Sequence, residues 1–219
     1  MNLKKLEEKY NYSYSNFFKT LWNDGMIDWF KGWNEPYTPS RNWNTEVYPK
    51  IKDNPPVLLH TGGDFEMLRE EEMLEYEFCE WWDSKHAFIP FGQSGAGDLY
   101  AIYKNIEIDG ENPIVFVWHD DNCTTILSKN FEDFIFRQMV EKVFDFETDN
   151  IGDFQKEIQL DLNSVKKYLN EEYVTILTEL YNRPFTLESV FRADEMQNIF
   201  KKTIWFDGID SEFEQDIDE

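Results

Sequence analysis

Apolar residues recur at helical spacing near the start of the chain and again through its last third. In residues 2–22 this pattern is interrupted around 11–13, so it predicts either one short helix or two abutting helices. Apolar stripes over 154–169 and 174–181 predict two more helices, and Thr186 is placed to cap a last one. The pattern therefore predicts helices at both ends of the chain.

The middle of the chain carries the pattern of β-strands. An apolar run at 57–60 precedes a glycine pair and predicts a short buried strand, and 65–68 is a candidate for a second. Further runs of β-branched and aromatic residues lie between short turns, at 86–91, 98–103, 113–118 and 123–127. Because parallel crossovers need a dozen or more residues, connections this short predict antiparallel pairing.

Two helices are predicted beside these strands. Asn130 is placed to cap a helix whose apolar stripe begins with Phe131 and Phe134 and ends near residue 144. The segment 70–82 puts apolar residues on one helix face and glutamates on the other. The glutamates that are candidates for partner binding are Glu70, Glu71, Glu72, Glu75 and Glu77. Such a face is either simply solvated or a docking surface for a basic partner, and both interpretations stay open.

Tryptophan and proline dominate the segment 26–56, which interrupts the regular patterns. Its prolines break regular structure, and a loop of this length is expected to be packed by its own aromatic residues or to have a function. Trp29, Trp33 and Trp43 fit either core positions or an exposed partner-binding patch. We expect an α+β body over 1–146 with this segment as an insert, a helical extension packed on it over 147–205, and a frayed acidic tail over 206–219.

The charge balance restricts the class of partner. The chain has 44 acidic and 21 basic residues, a formal net charge of −23, and such a chain repels nucleic acids and anionic membranes alike. Its field attracts basic partners and, through self-repulsion, favours a monomer. The chain shows no signal peptide and no run long enough to span a bilayer, and Cys79 and Cys123 suit two free thiols better than a disulfide. We therefore expect a soluble cytoplasmic protein with a basic protein partner.

No group of residues stands out as catalytic. His119, Asp120 and Asp121 have the chemistry of metal ligands, but they lie in a predicted turn and the chain has only three histidines. The glycine-rich segment 92–98 lacks the lysine of a P-loop and leads into a strand, whereas a phosphate site needs a helix N-terminus. Ser94 has no identifiable base. We expect no catalytic residue, no cofactor and no metal, with a metal-dependent hydrolase as a minor alternative.

Four short motifs follow one another between residues 57 and 145. An apolar strand ends in glycine, a Gly-Asp pair precedes an aromatic strand, a later strand ends in Trp-His-Asp, and a helix starts with Ser-x-x-Phe-x-x-Phe. The residues are Gly92, Gly95, Gly97, Asp98, Trp118, His119, Asp120, Phe131 and Phe134. In order and spacing these motifs resemble the SUKH superfamily, which is named partly after the yeast Smi/Knr cell-wall regulators. The insert and the helical extension lie outside the pattern.

The resemblance implies a fold and a function. It implies an α+β fold with a predominantly antiparallel curved sheet and flanking helices, to which this chain adds a helical C-terminal extension. Bacterial members are similar to immunity proteins of polymorphic and contact-dependent toxin systems, which bind and block a cognate toxin that is often a nuclease. We therefore expect an immunity-type protein that docks an acidic surface on a basic toxin domain, with tryptophans of the insert as anchors. The alternative is a regulatory scaffold of the same fold without a toxin partner.

Overall fold

Short helices precede a block of strands, and longer helices follow it. The computed structural model describes residues 3–27, 45, 48–58, 65–78, 85–144, 151–185 and 193–215. The helices are α1 (Leu3–Tyr10), α2 (Asn16–Asn23), α3 (Tyr48–Ile51), α4 (Glu70–Glu75), α5 (Phe131–Phe144), α6 (Ile151–Val165), α7 (Glu171–Tyr181) and α8 (Ala193–Thr203). The strands are β1 (Glu66–Met67), β2 (Phe88–Gln93), β3 (Leu99–Tyr103), β4 (Ile114–Val117), β5 (Cys123–Ser128) and β6 (Glu212–Glu214). Within these described ranges, no helix is long and apolar enough to cross a membrane.

The described strands form one six-stranded sheet in the order β1-β2-β3-β4-β5-β6. Each strand pairs antiparallel with its neighbour in sequence. The register shifts between Pro90 and Gly92 and again between Ile114 and Val115, and such irregularities bend a sheet. The fold is therefore α+β, with an antiparallel curved sheet and flanking helices, as the sequence predicts.

The N-terminal apolar pattern corresponds to two helices. Asn11 ends α1 with a positive φ of 44°, and the Tyr12 N–H donates to the Glu7 carbonyl at 3.0 Å. Ser15 then caps α2, because its hydroxyl accepts from the Phe18 N–H at 3.2 Å. Of the two predicted alternatives, one short helix or two abutting helices, the structure shows two helices.

Helix α5 packs its aromatic residues against the sheet. The Asn130 side chain accepts a hydrogen bond from the Asp133 N–H at 2.8 Å, which is the cap that the sequence predicts. Phe131 and Phe134 are buried, and their ring centroids lie 5.1 and 5.5 Å from that of Phe91 in β2. Because buried aromatic rings contribute large apolar areas, these two motif residues hold α5 on the sheet.

Buried polar contacts fasten the C-terminal helices to α5. Lys142 donates to Asp161 of α6 at 3.0 Å, and both side chains are more than nine-tenths buried. Burial lowers the pKa of Lys142, and the charge of Asp161 opposes that change. Tyr181 of α7 donates its hydroxyl to the Met139 carbonyl at 2.9 Å. Because an unpaired buried charge is costly, the Lys142–Asp161 pair ties the position of α6 to that of α5.

The strand predicted at 57–60 is wrong where the structure describes it. Val57 and Leu58 are buried but lie in a turn. The Val57 N–H donates to the Met26 carbonyl at 2.6 Å, and Leu58 has a φ of 62°, which is incompatible with a strand. The rest of that segment lies outside the described residues. By contrast, the second candidate, 65–68, contains β1 and is confirmed.

The helix predicted over 70–82 ends early, at Glu75. Lys9 of α1 donates to the carbonyls of Met73 and Leu74 at 3.3 and 2.6 Å. In a longer helix these carbonyls would accept hydrogen bonds from the backbone N–H groups of the next turn. Here the Lys9 ammonium takes the place of those N–H groups. Tyr76 continues instead with a ψ of 120°, outside the helical region.

The acidic tail, predicted to be frayed over 206–219, contains a strand. Glu212–Glu214 form β6 on the edge of β5, and the Gln215 N–H donates to the Asn122 carbonyl at 2.7 Å. The Phe213 ring stacks on that of Tyr103, with centroids 5.2 Å apart. This apolar contact offsets the high charge of the segment. Residues 216–219 lie outside the described residues.

Candidate functional site

Two motif residues, Asp98 and His119, meet where two loops of the sheet approach each other. Asp98 directly precedes β3, and His119 follows the end of β4 by two residues. The Oδ1 atom of the buried Asp98 carboxylate accepts from the His119 backbone N–H at 3.0 Å and lies 2.8 Å from Nδ1 of the imidazole. The Oδ2 atom accepts from the Ser94 hydroxyl at 2.7 Å. Asp98 therefore joins the β2–β3 loop to the β4–β5 loop.

These contacts change the protonation of both partners. Burial alone would raise the pKa of Asp98, but hydrogen bonds from His119 and Ser94 outweigh burial and lower it below its usual value. The hydrogen bond to Asp98 raises the pKa of His119, and the charge of Asp120 adds to this effect. The imidazole itself remains 44% exposed. Asp98 is therefore a carboxylate over the ordinary pH range, and His119 accepts a proton more readily than a free imidazole.

The order of these groups does not suit nucleophilic catalysis. In a serine-nucleophile site, the imidazole lies between the hydroxyl and the carboxylate and removes the hydroxyl proton. Here the carboxylate of Asp98 lies between Ser94 and His119, so the imidazole does not reach the hydroxyl. Of the other two histidines, His86 is hydrogen-bonded to the Tyr103 hydroxyl at 2.7 Å, and His60 lies outside the described residues. The three groups at Asp98 thus form a structural tie.

A possible metal site at these loops involves different residues from those that the sequence suggests. In the described part of the chain, Asp98, His119 and Asp120 each bring one donor atom within 4.8 Å of the others, and Asp121 is not in this group. Asp98 already accepts three hydrogen bonds, so His119 and Asp120 are the two residues left to offer ligand atoms to a metal ion. Zinc sites use three or four protein ligands. The geometry therefore fits the loop tie better than a metal centre.

Glycine is required at two of the motif positions for different structural reasons. Gly97 has a φ of 101°, in the region that favours glycine, as expected for a tight turn. Gly92 lies inside β2, where a Cβ atom would come 2.5 Å from the Phe65 ring and 3.2 Å from the Glu66 carbonyl. At Gly92 the close approach of β1 therefore excludes a side chain. Gly95 is exposed in the loop.

The acidic face predicted at 70–82 is only partly available to a partner. Glu72 is engaged within α4, because its Oε2 accepts from the Arg69 N–H at 2.7 Å and its Oε1 pairs with the Arg69 guanidinium. Glu70 is half-buried, and the exposed carboxylates are those of Glu71, Glu75 and Glu77. Glutamates in a first helical turn also stabilise the helix dipole. Part of this acidic run therefore serves to stabilise the start of α4.

Trp118 is a motif residue with a large exposed surface. Its side chain is 39% exposed, it packs against the Phe116 ring at 5.0 Å between centroids, and its Nε1 donates to the Thr125 hydroxyl at 3.3 Å. The sequence assigns Trp118 only to the framework of the fold. The tryptophans predicted to contact a partner, Trp29, Trp33 and Trp43, lie outside the described residues.

Strand β6 adds two acidic residues to this end of the sheet. Glu212 pairs with Thr125 and Glu214 pairs with Cys123, which is a free thiol. Neither glutamate is predicted from the sequence as part of a site, because their charge indicates an unstructured tail. The Glu-Phe-Glu alternation at 212–214 is the period-two signal that could have revealed the strand.

Comparison with known proteins matches this arrangement to a family. The sequence model of the SMI1 / KNR4 family (SUKH-1) matches residues 2–137. The chain belongs to this family. The match reaches from α1 into α5 and includes all nine motif residues, so the Asp98 tie lies within the SUKH-1 segment, whereas helices α6–α8 and strand β6 lie beyond it. No curated protein and no solved structure matches this SUKH-1 chain.

Proposed function

We propose that this SUKH-1 protein is an immunity-type protein that binds a cognate toxin, of the basic nuclease type, and neutralises it by covering its active surface. The observation that carries the proposal is the family membership over residues 2–137, since SUKH is an immunity-type family. The function is one of binding, without catalysis by this chain. The tie at Asp98 supports this proposal, because its polar groups are used to hold loops together.

The charge of the chain supports a basic target. A nuclease carries positive charge along the path of its nucleic acid, which binds through its phosphates. A chain with a net charge of −23 is drawn to such a surface, and steered association reaches about 10⁸–10⁹ M⁻¹s⁻¹ at low salt. The exposed carboxylates of Glu71, Glu75 and Glu77 are our proposed steering group. A regulatory scaffold of the same fold would lack the toxin partner.

Co-expression with a toxin domain tests this function, where a gene beside this one encodes such a domain. Cells that produce the toxin alone should stop growing, cells that produce both proteins should grow, and the two proteins should elute together. An inactive toxin variant is the control, because it should still elute with the SUKH-1 protein. Continued killing without a complex would reject the immunity function and leave the scaffold alternative.

Association kinetics test the steering group. The double variant Glu71→Gln/Glu75→Gln should associate severalfold more slowly at low salt and show a weaker salt dependence, with little change in dissociation. The control Glu107→Gln/Glu179→Gln removes the same number of exposed charges elsewhere and should change association less. Equal rates for both variants would mean that α4 has no special part in steering.

A further inference from the structure

The register of three strands places an exposed tryptophan and two glutamates on one face of the sheet. Phe116 of β4 pairs with Thr125 of β5, and Thr125 pairs with Glu212 of β6. Paired residues share a face, and so do residues two apart along a strand. Trp118 follows Phe116 by two residues, and its hydrogen bond to Thr125 agrees with this placement. Glu214 follows Glu212 by two and lies on the same face.

A row of aromatic rings holds Trp118 from beneath. The Phe116 ring packs against Trp118 at 5.0 Å and against Tyr100 at 4.8 Å, and Tyr100 packs against the buried Phe65 at 4.9 Å. The indole is also fixed at its nitrogen by Thr125. A side chain that is ordered before binding loses little entropy when a partner covers it. Trp118 therefore has the rigidity of an anchor residue.

Three carboxylates lie near Cys123, whose carbonyl accepts a hydrogen bond from the Trp118 N–H at 3.2 Å. The pKa of the Cys123 thiol is raised by burial and also by the charges of Glu212, Asp121 and Glu214, so these three act on one point. All three are exposed, and none has an ion-pair or side-chain hydrogen-bond partner within the described residues. Like charges without partners destabilise a surface. A basic partner would relieve that repulsion.

We propose that this face is the contact site for the toxin and that it receives an arginine side chain. The Trp118 surface is defined here as Trp118, Thr125, Asp121, Glu212 and Glu214. This inference rests on the proposed function and adds the place and chemistry of contact. It differs from the steering group on α4, which follows β1 at the opposite edge of the sheet.

Arginine suits this surface better than lysine does. A guanidinium stacks on the face of an indole and can bind a carboxylate through two parallel hydrogen bonds at the same time. Lysine offers a compact, strongly hydrated charge without that planar geometry. Tryptophan and arginine are also the residues in which binding energy concentrates at protein interfaces. In this proposal the Trp118 surface forms the interface of the bound complex, whereas the α4 carboxylates speed up association.

Binding of the toxin domain used in the co-expression experiment, purified in an inactive form, tests this surface. Trp118→Ala should raise the dissociation constant at least about tenfold, mainly through faster dissociation. Glu212→Gln/Glu214→Gln should weaken binding severalfold and melt at or above the wild-type temperature, because it removes repulsion. The controls are Trp205→Ala, an exposed tryptophan ahead of β6, and Glu107→Gln/Glu179→Gln, and both should bind like the wild type.

The outcomes separate this inference from the proposed function. If the wild type binds the toxin and both Trp118-surface variants bind equally well, the contact site is wrong and the immunity function stands. If the wild type does not bind the toxin, the immunity function fails, and hexa-arginine and hexa-lysine peptides then test the surface alone. Preference for hexa-arginine that is lost in Trp118→Ala but kept in Trp205→Ala would support the surface. Equal peptide binding by these two variants would overturn it.

Discussion

Replacement of Asp98 by alanine tests the tie between the two loops. The carboxylate is 6% exposed and accepts three hydrogen bonds, from the His119 N–H, the His119 ring and the Ser94 hydroxyl. The ring is 44% exposed and can bond to water after the change, so its screened contribution is left out of the sum. The backbone bond contributes about 1.5 kcal/mol and the Ser94 bond about 1 kcal/mol. The free energy of unfolding should therefore fall by about 2–3 kcal/mol at pH 7.

Urea unfolding and thermal melting measure this loss. For a chain of this size, about 2–3 kcal/mol corresponds to a melting temperature lower by roughly 5–10 °C. Asp121→Ala is the matched control, because Asp121 is an exposed residue of the same loop and should change stability by less than about 0.5 kcal/mol. A loss for Asp98→Ala as small as that of the control would refute the idea that this carboxylate joins the loops.

The pH dependence of the same variant provides an independent test. The pKa of Asp98 is lowered in the folded state, so its contribution is present above the usual value of 3.8 and is lost as the pH falls through the folded value. The pKa of His119 is raised, so its contribution is complete below 6.5 and is lost as the pH rises through the folded value. The stability difference between wild type and Asp98→Ala should therefore be largest between about pH 4 and 6.5. A constant difference from pH 3 to 9 would contradict this account.

Three further measurements test other parts of the structure. Asp161→Ala should lower the free energy of unfolding in urea by about 3–5 kcal/mol, because it leaves the Lys142 ammonium buried and unpaired. The double variant Lys142→Met/Asp161→Leu should recover most of that loss, and no recovery would contradict the pairing argument. Gly92→Ala should cost about 1–3 kcal/mol because its Cβ meets the Phe65 ring, whereas an unchanged melting temperature would mean that β1 moves freely. Titration with Zn²⁺, Mn²⁺ or Mg²⁺ should leave the melting temperature unchanged, and a rise that saturates with metal would support a metal site at the loop tie.

Local signals explain which parts of the fold the sequence predicts. The strands β2 to β5 and the cap of α5 depend on alternation, turn residues and one side-chain hydrogen bond to a nearby amide, all within a few residues. The end of α4 depends instead on Lys9, which lies 64 residues from the Met73 carbonyl that it contacts. The turn at Val57 depends on Met26 in the same way. Contacts between such distant positions leave no periodic trace in the sequence.

The candidate site shows the same division. The motif order predicts that Asp98 and His119 belong to the framework, and their hydrogen bonds are those of a framework. The place of Ser94 on the far side of the carboxylate depends on the shape of the loop and could not be predicted. Glu212 acquires its position beside Trp118 only through the pairing of β6, which the charge of the tail conceals.

The pairing of β6 with β5 also has a consequence for the timing of synthesis. Thr124 and Gln215, which are hydrogen-bonded at this edge, are 91 residues apart in the chain. At roughly 5–20 residues per second, the ribosome needs roughly 5–20 s to travel between them, and β5 keeps an open edge for that interval. The residues of the Asp98 tie and Trp118 are therefore synthesised before Glu212 and Glu214. The Trp118 surface proposed above is therefore complete only after β6 has been synthesised and has paired with β5.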